Sequence, residues 1–120
     1  LNDDPSSPSV IKCLKATGDK DDLTDGKLYN PFYDYHKKVI GSLAYREAWN
    51  LFDQIIVSPS TLKEDNDLIF GTSHIFKRNY MLQMDGRYQG YPRRTYAGDL
   101  YQGGFSDHFP TYTVFKRKLK

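Results

Sequence analysis

The sequence has very little cysteine, no long apolar run and only a small excess of positive charge. Its single cysteine, Cys13, leaves no partner for an internal disulfide. No apolar stretch reaches the ~18 residues that a membrane-spanning helix needs, so we expect no transmembrane segment. The net charge of +2 does not by itself indicate nucleic-acid binding, because a surface that follows a phosphate backbone normally shows a dense lysine and arginine face.

Motifs typical of several other functional classes are also missing. The chain has no internal repeat, no Walker-type glycine loop and no ligand spacing typical of zinc. Repeat architectures, P-loop nucleotide hydrolysis and structural zinc are therefore not indicated. A secretory leader can be neither identified nor excluded, which leaves the localisation open.

The most informative segment is residues 106–110, which read Ser-Asp-His-Phe-Pro and place the carboxylate of Asp107 beside the imidazole of His108. Residues 111–115 are all β-branched or aromatic and predict a strand. The two side chains should therefore lie at the edge of a sheet. Alone, the pair is ambiguous, because a histidine next to an acid is often only a hydrogen-bonded structural residue.

Two further segments belong with this one. Residues 49–58 read Trp-Asn-Leu-Phe-Asp-Gln-Ile-Ile-Val-Ser, so that Asp53 leads into an apolar run that predicts a strand. Ser58 and Pro59 then predict a turn or a single helical turn. Residues 1–5 read Leu-Asn-Asp-Asp-Pro, which alone indicates only a turn.

Taken together and in this order, the three segments resemble motifs of the endonuclease/exonuclease/phosphatase superfamily, the group that includes deoxyribonuclease I and exonuclease III. Ser-Asp-His resembles its closing motif, residues 53–58 its Asp-x-Ile-hydrophobic-hydrophobic-Ser strand, and residues 1–5 the tail of Gly-Asp-Phe/Leu-Asn-Asp-x-Pro. With Trp-Asn-x-x-Asp-Gln-Ile at residues 49–55 and Gly-Gly-Phe-Ser-Asp-His at residues 103–108, the chain looks like bacterial hydrolases of this family whose substrates are unsettled.

The resemblance implies a role for four side chains. His108 either takes a proton from the attacking water or, as an imidazolium, stabilises the phosphorane, and Asp53 accepts its hydrogen bond and orients it. Asn2 helps to position the phosphate and the water. Asp107 contributes to the site of a Mg²⁺ or Mn²⁺ ion, for which carboxylate oxygens are suitable ligands.

The implied fold is α+β, as the C-terminal half of a four-layer α/β sandwich with one mostly antiparallel sheet and outer helices. A complete domain of this kind needs roughly twice the 120 residues. We therefore expect residues 1–120 to be the C-terminal part of a single domain whose N-terminal half is absent, together with a metal-binding Glu and Asp. This piece alone should be inactive.

The patterns also predict individual elements. They are a helix over residues 10–16, a strand over 39–45 that a turn of residues 46–48 joins to the strand carrying Asp53 in a hairpin, a strand over 68–70, a strand or brief helix over 73–81, and the strand over 111–115.

Candidate substrate contacts lie in two places. Arg93 and Arg94 lie in the segment Pro-Arg-Arg-Thr-Tyr of residues 92–96, whose cations and aromatic ring suit binding a phosphate and stacking a ring or sugar, although surface packing explains them equally well. For Trp49 we favour a structural anchor over a platform for the substrate, and Asn50 beside it is a further candidate substrate contact. A nuclease and a phosphatase of phosphorylated lipids or sugars share all of these motifs. The alternative is a non-catalytic binding module that uses the Tyr/Arg-rich loop.

Overall fold

The computed structural model describes residues 2–24 and 26–118, so Leu1 of the N-terminal motif lies outside the described residues. The strands are β1 (Ala16–Thr17), β2 (Leu28–Tyr29), β3 (Leu43–Tyr45), β4 (Ala48–Asn50), β5 (Leu68–Ile75), β6 (Tyr96–Ala97), β7 (Leu100–Tyr101) and β8 (Thr111–Arg117). The helical elements are α1 (Tyr33–Lys37), a π-helical turn (Ser9–Cys13) and two 3₁₀ turns (Pro59–Leu62 and Asn79–Met81).

The strands pair in twos. In the described part of the chain β1 and β2 are parallel, whereas β3 with β4, β5 with β8 and β6 with β7 are antiparallel. This mixture of short helices and small sheets is compatible with the predicted α+β class. The predicted predominance of antiparallel pairing is confirmed, but the described residues form four two-stranded sheets instead of the predicted single sheet, because irregular segments separate the short strands.

The longest ladder joins β5 and β8. The strand predicted over residues 111–115 is confirmed and extends to Arg117, while the separate elements predicted after residue 68 merge into one strand that ends at Ile75. Gly71 lies at the register shift in β5, and a Cβ atom there would come 2.9 Å from the carbonyl oxygen of Val114. Glycine allows the two backbones to approach at this bulge.

The predicted hairpin is present but shorter, and its second strand lies earlier in the chain. A two-residue turn of Arg46 and Glu47 sets the register, so that Leu43 pairs with Asn50. Asp53 lies beyond the end of this ladder, and among the described residues the segment after it pairs with β2 through an isolated bridge between Val57 and Tyr29. The prediction that the second strand of the hairpin carries Asp53 was therefore wrong.

Two residues with positive φ shorten other predicted elements. Lys15, at φ 51°, turns the chain out of the first helical segment and into β1, which leaves a π-helical turn instead of a helix over residues 10–16. Val39, at φ 58°, ends α1 and delays the start of β3 to Leu43. Neither residue type normally favours this conformation, so the sequence pattern does not predict these breaks.

The core is small, and part of it surrounds the predicted site. Phe32, Phe109, Leu51 and Val10 are the largest fully buried apolar side chains. Phe109 follows His108, and Leu51 lies two residues before Asp53, so burial of these neighbours holds both polar side chains near the core surface. No helix among residues 2–24 and 26–118 has the length and apolar character needed to cross a membrane.

Candidate active site

The side chains of His108 and Asp53 meet across 55 residues of sequence. Nδ1 of His108 lies 2.7 Å from Oδ2 of Asp53, and the two side chains are 32% and 35% exposed. Because an ionised carboxylate can only accept, the ring donates from Nδ1. The second nitrogen, Nε2, has no hydrogen-bond partner among the described residues and remains able to exchange a proton.

Ser42 connects both members of this pair. Its hydroxyl donates to Oδ2 of Asp53 at 2.5 Å, and its carbonyl oxygen accepts the N–H of Phe109 at 2.7 Å. Ser42 is completely buried. Gly41 is needed before it, because a Cβ atom there would overlap the carbonyl oxygen of Asn50.

Sequence reasoning missed Ser42. The residue falls inside a segment predicted to be a strand, where a serine can face either side of a sheet. The only available signal was the Gly41-Ser42 pair inside an otherwise apolar run, since glycine in a strand often marks a close backbone approach.

Two hydrogen bonds join the N-terminal motif to the segment that carries Asp53. Asp4 Oδ1 accepts the N–H of Leu51 at 2.6 Å, and the carbonyl oxygen of Asp3 accepts the side-chain amide of Gln54 at 2.6 Å. These bonds hold the motif on both sides of Asp53. Asn2, which precedes Asp3, is exposed, and its side chain makes no hydrogen bond within the described part of the chain.

Asp4 also lies near a second histidine, His36. His36 Nε2 lies 2.9 Å from the hydroxyl of Ser6, and its Nδ1 lies 3.7 Å from Oδ1 of Asp4. Because Asp4 also holds the main chain of Leu51, this arrangement ties α1 to the N-terminal segment. We interpret it as structural support for the Asp53 segment.

Asp107 is exposed, and the metal role implied for it has no set of neighbouring ligands here. Within the described ranges, no three His, Cys, Asp or Glu side chains converge in a way that could hold a metal ion. The local loop is ordered instead by Ser106, whose hydroxyl accepts the N–H of His108 at 3.0 Å. The described residues therefore do not form a metal site by themselves.

Trp49 is placed as an anchor of the His108 loop. Its ring stacks on Phe109 with the centroids 6.2 Å apart and the planes at 19°, and meets the ring of Tyr91 edge-on at 5.4 Å. The Lys77 ammonium group lies 5.2 Å from the rings of both Trp49 and Phe109. Asn50 contributes through its main chain, where its carbonyl oxygen accepts the N–H of Ser42 at 2.9 Å.

The two predicted substrate arginines occupy different environments. Arg93 donates from Nε and Nη2 to the carbonyl oxygen of Gln102, at 3.1 and 2.9 Å, and so closes its own loop. Arg94 lines a surface cavity. Gly104 belongs to the same loop closure, because a Cβ atom there would overlap the carbonyl oxygens of both arginines. Of the two arginines, Arg94 is therefore the one that lines the cavity.

Comparison with curated proteins gave no match, and comparison with solved structures gave none either. The model of the endonuclease/exonuclease/phosphatase family matches residues 1–117. This range includes the N-terminal motif, Asp53 and His108, which the structure brings to one place. The family resemblance seen in the sequence is thus confirmed, and the chain belongs to the endonuclease/exonuclease/phosphatase family.

Proposed function

We propose that this chain carries the histidine and its orienting carboxylate for the hydrolysis of a phosphate ester, with His108 and Asp53 acting as one unit. Members of the family are hydrolases that act on phosphate esters. The observation that supports the proposal is the 2.7 Å hydrogen bond between His108 Nδ1 and Asp53 Oδ2.

This bond gives the imidazole one orientation and one tautomer. With the proton on Nδ1 held by Asp53, the neutral ring presents its lone pair at Nε2 and can take a proton from an attacking water. Once protonated, the same nitrogen can donate to an oxygen of the phosphoryl group. Since the His108 side chain is about one-third exposed, water and a substrate can reach it.

Ser42 supports the same function by restricting Asp53. A carboxylate that accepts from both a buried hydroxyl and an imidazole has little freedom to rotate away from the ring. The carbonyl oxygen of Ser42 accepts the N–H of Phe109, and this hydrogen bond fixes the backbone next to His108. The positions of base and orienting group are therefore set by one buried residue.

Family members generally use a divalent metal ion, and we propose Mg²⁺ or Mn²⁺ as the ion for this protein. Such an ion supplies positive charge where negative charge develops on the phosphoryl oxygens. Asn2 and Asp107 are both exposed and do not complete a site together. We therefore assign the proton transfer alone to the described residues.

The order of the motifs further supports our proposal that residues 1–120 form the C-terminal part of one domain, built in full as a four-layer sandwich. On this basis the 120-residue piece should hydrolyse neither bis-nitrophenyl phosphate nor DNA, whereas the full-length protein should hydrolyse a phosphate ester with Mg²⁺ or Mn²⁺ and lose that activity in EDTA. EDTA-sensitive turnover by the piece alone contradicts this division.

The test of the histidine uses bis-nitrophenyl phosphate and the full-length protein. His108→Ala should lower kcat by about 10²- to 10⁴-fold, the usual contribution of a positioned general base. His74→Ala is the matched control, because His74 stacks on Tyr112 in the β5·β8 ladder and hydrogen-bonds Thr72, outside the His108–Asp53 pair. Equal activity of the two variants rejects the proposed function.

A further inference from the structure

A cavity of about 630 Å³ lies beside the β3–β4 hairpin and is formed with the loop that precedes the His108 segment. Neither His108 nor Asp53 lines this cavity. Its volume falls within the range of about 300–1,000 Å³ that is usual for small-molecule sites. Size alone therefore allows one compact ligand to bind.

The walls combine aromatic rings with amides. Tyr45 comes from the hairpin, while Tyr88 and Tyr91 come from the opposite loop, and all three line the cavity together with Gln83 and Gln102. Tyrosine rings offer flat apolar faces to the C–H groups of a sugar, and glutamine side chains can both donate to and accept from hydroxyl groups. This combination suits a polar ring compound better than an aliphatic one.

Three arginines line the same space, and they differ in their partners. Arg87 Nη2 lies 2.5 Å from Oε1 of Glu47, and this hydrogen bond raises the pKa of the Arg87 guanidinium. In the described part of the chain no carboxylate forms an ion pair with Arg46 or Arg94. Two positive charges therefore remain at the cavity for an anionic group on a ligand.

The hairpin turn holds one of these cations at the cavity. Arg46 and Glu47 have φ values of 48° and 67°, in positions where asparagine and glycine are normally favoured. The Arg46 guanidinium lies 5.2 Å from the ring centre of Tyr45. The turn thus keeps a cation and an aromatic ring together on one wall.

The cavity is connected to the candidate active site through aromatic packing. Tyr91, in the cavity wall, contacts Trp49, which stacks on Phe109 beside His108. A ligand held in the cavity would therefore lie next to the side chains that position the histidine.

We propose that this cavity binds a free phosphorylated sugar, with the ring against the tyrosines and the phosphate oxygens near Arg46 and Arg94, at a binding site separate from the His108–Asp53 pair. Arginine suits this role because its guanidinium can bind phosphate oxygens bidentately. A nucleic acid is disfavoured because a surface that follows a phosphate backbone normally has a dense lysine and arginine face, whereas this cavity offers Arg46 and Arg94.

The single tryptophan provides a direct binding signal, because Trp49 contacts Tyr91 in the cavity wall. Titration of the full-length protein with glucose 6-phosphate or ribose 5-phosphate should change its fluorescence saturably. Arg94→Ala and Arg46→Ala should each weaken this binding about tenfold or more, as expected for loss of a charge-assisted contact. Arg117→Ala, which removes the same charge from the exposed end of β8, should leave the affinity unchanged.

Several results overturn the proposal. The first is the absence of a saturable fluorescence change with either sugar phosphate. The second is binding of inorganic phosphate or unphosphorylated glucose with the same affinity as the sugar phosphate, and the third is tighter binding of a single-stranded oligonucleotide than of ribose 5-phosphate. The fourth is an equal loss of sugar-phosphate affinity in the Arg94→Ala and Arg117→Ala variants. Binding needs no turnover, so the two proposals can fail separately. Arg94-dependent binding without His108-dependent hydrolysis rejects only the proposed function, whereas the reverse rejects only the cavity proposal.

Discussion

The N–H of Phe109 donates a hydrogen bond of 2.7 Å to the carbonyl oxygen of Ser42. Ser42 also donates its hydroxyl to Asp53, the carboxylate that holds the ring of His108. One buried residue therefore positions the backbone beside the histidine and the side chain that orients it. The geometry of the pair depends on a serine that does not itself touch the imidazole.

Ser42→Ala should lower kcat about tenfold without preventing folding. The change removes one hydrogen bond to a charged group, which contributes about 1.5 kcal/mol, and it leaves the carbonyl bond to Phe109 in place. The measurement is steady-state hydrolysis of bis-nitrophenyl phosphate by the full-length protein, with circular dichroism as a check on folding.

Ser73→Ala is the matched control for this variant. Ser73 is also buried, and its hydroxyl lies 2.7 Å from that of Thr113 in the β5·β8 ladder. Its loss should lower stability by about 1 kcal/mol and leave kcat unchanged. Wild-type turnover in a folded Ser42→Ala variant contradicts the positioning role.

Asp53→Asn should lower kcat by about 10³- to 10⁴-fold while changing KM little. The asparagine amide can donate to Nδ1 of His108, which favours the tautomer with its proton on Nε2 and removes the lone pair that accepts a proton from water. Because the wrong tautomer is actively stabilised, Asp53→Asn should be at least as impaired as Asp53→Ala. The rates of both variants on the same substrate provide the measurement.

Asp67→Asn provides the control, since Asp67 is exposed before β5 and lies outside the site. It should retain wild-type rates. If Asp53→Asn and Asp53→Ala also retain them, then the Asp53–His108 hydrogen bond is only structural.

The contact between Asp53 and His108 could be predicted from the sequence because each residue lies in a motif with a fixed place in the family pattern. The strand of residues 111–115 could be predicted because its side chains are uniformly β-branched or aromatic. Each of these signals lies within a short stretch of sequence. It can be recognised without knowing which other segment that stretch contacts in the fold.

The role of Ser42 and the ends of the hairpin could not be predicted, because both depend on register. The turn at Arg46 and Glu47 pairs Leu43 with Asn50, and this alignment ends the ladder before Asp53. The positive φ of Val39 is likewise imposed by the packed structure, since valine has no intrinsic preference for it. Long-range contacts decided these features.

Phe109→Ala should destabilise the protein by about 3–5 kcal/mol, as is usual when a buried phenylalanine is truncated. Phe109 is 1% exposed and stacks on Trp49, so its removal leaves a cavity beside the candidate active site. Phe105→Ala is the control, because that side chain is 69% exposed. Urea unfolding curves measure both changes, and a similar small loss in the two variants would show that Phe109 is not part of a cooperative core.

Tyr29 should make the stability of the protein decrease at alkaline pH. Burial, with a smaller contribution from the carboxylate of Asp34, raises the pKa of Tyr29 above its ordinary value of 10.0. Below pH 10 the phenol is protonated in both the folded and unfolded chains, so its contribution to stability is complete. As the pH rises above 10 the unfolded chain releases this proton first, and the free energy of unfolding falls until the folded form also ionises.

Tyr29→Phe removes this ionisation and should therefore show a smaller loss of stability between pH 9 and about pH 11 than the wild-type protein. Tyr80→Phe is the control, because Tyr80 is 62% exposed and its substitution should leave the wild-type pH dependence in place. Urea unfolding at each pH gives the two slopes. Because each variant removes one phenol, buried in one case and exposed in the other, the difference between their slopes isolates Tyr29. Identical slopes for Tyr29→Phe and Tyr80→Phe would show that the buried phenol does not couple to folding.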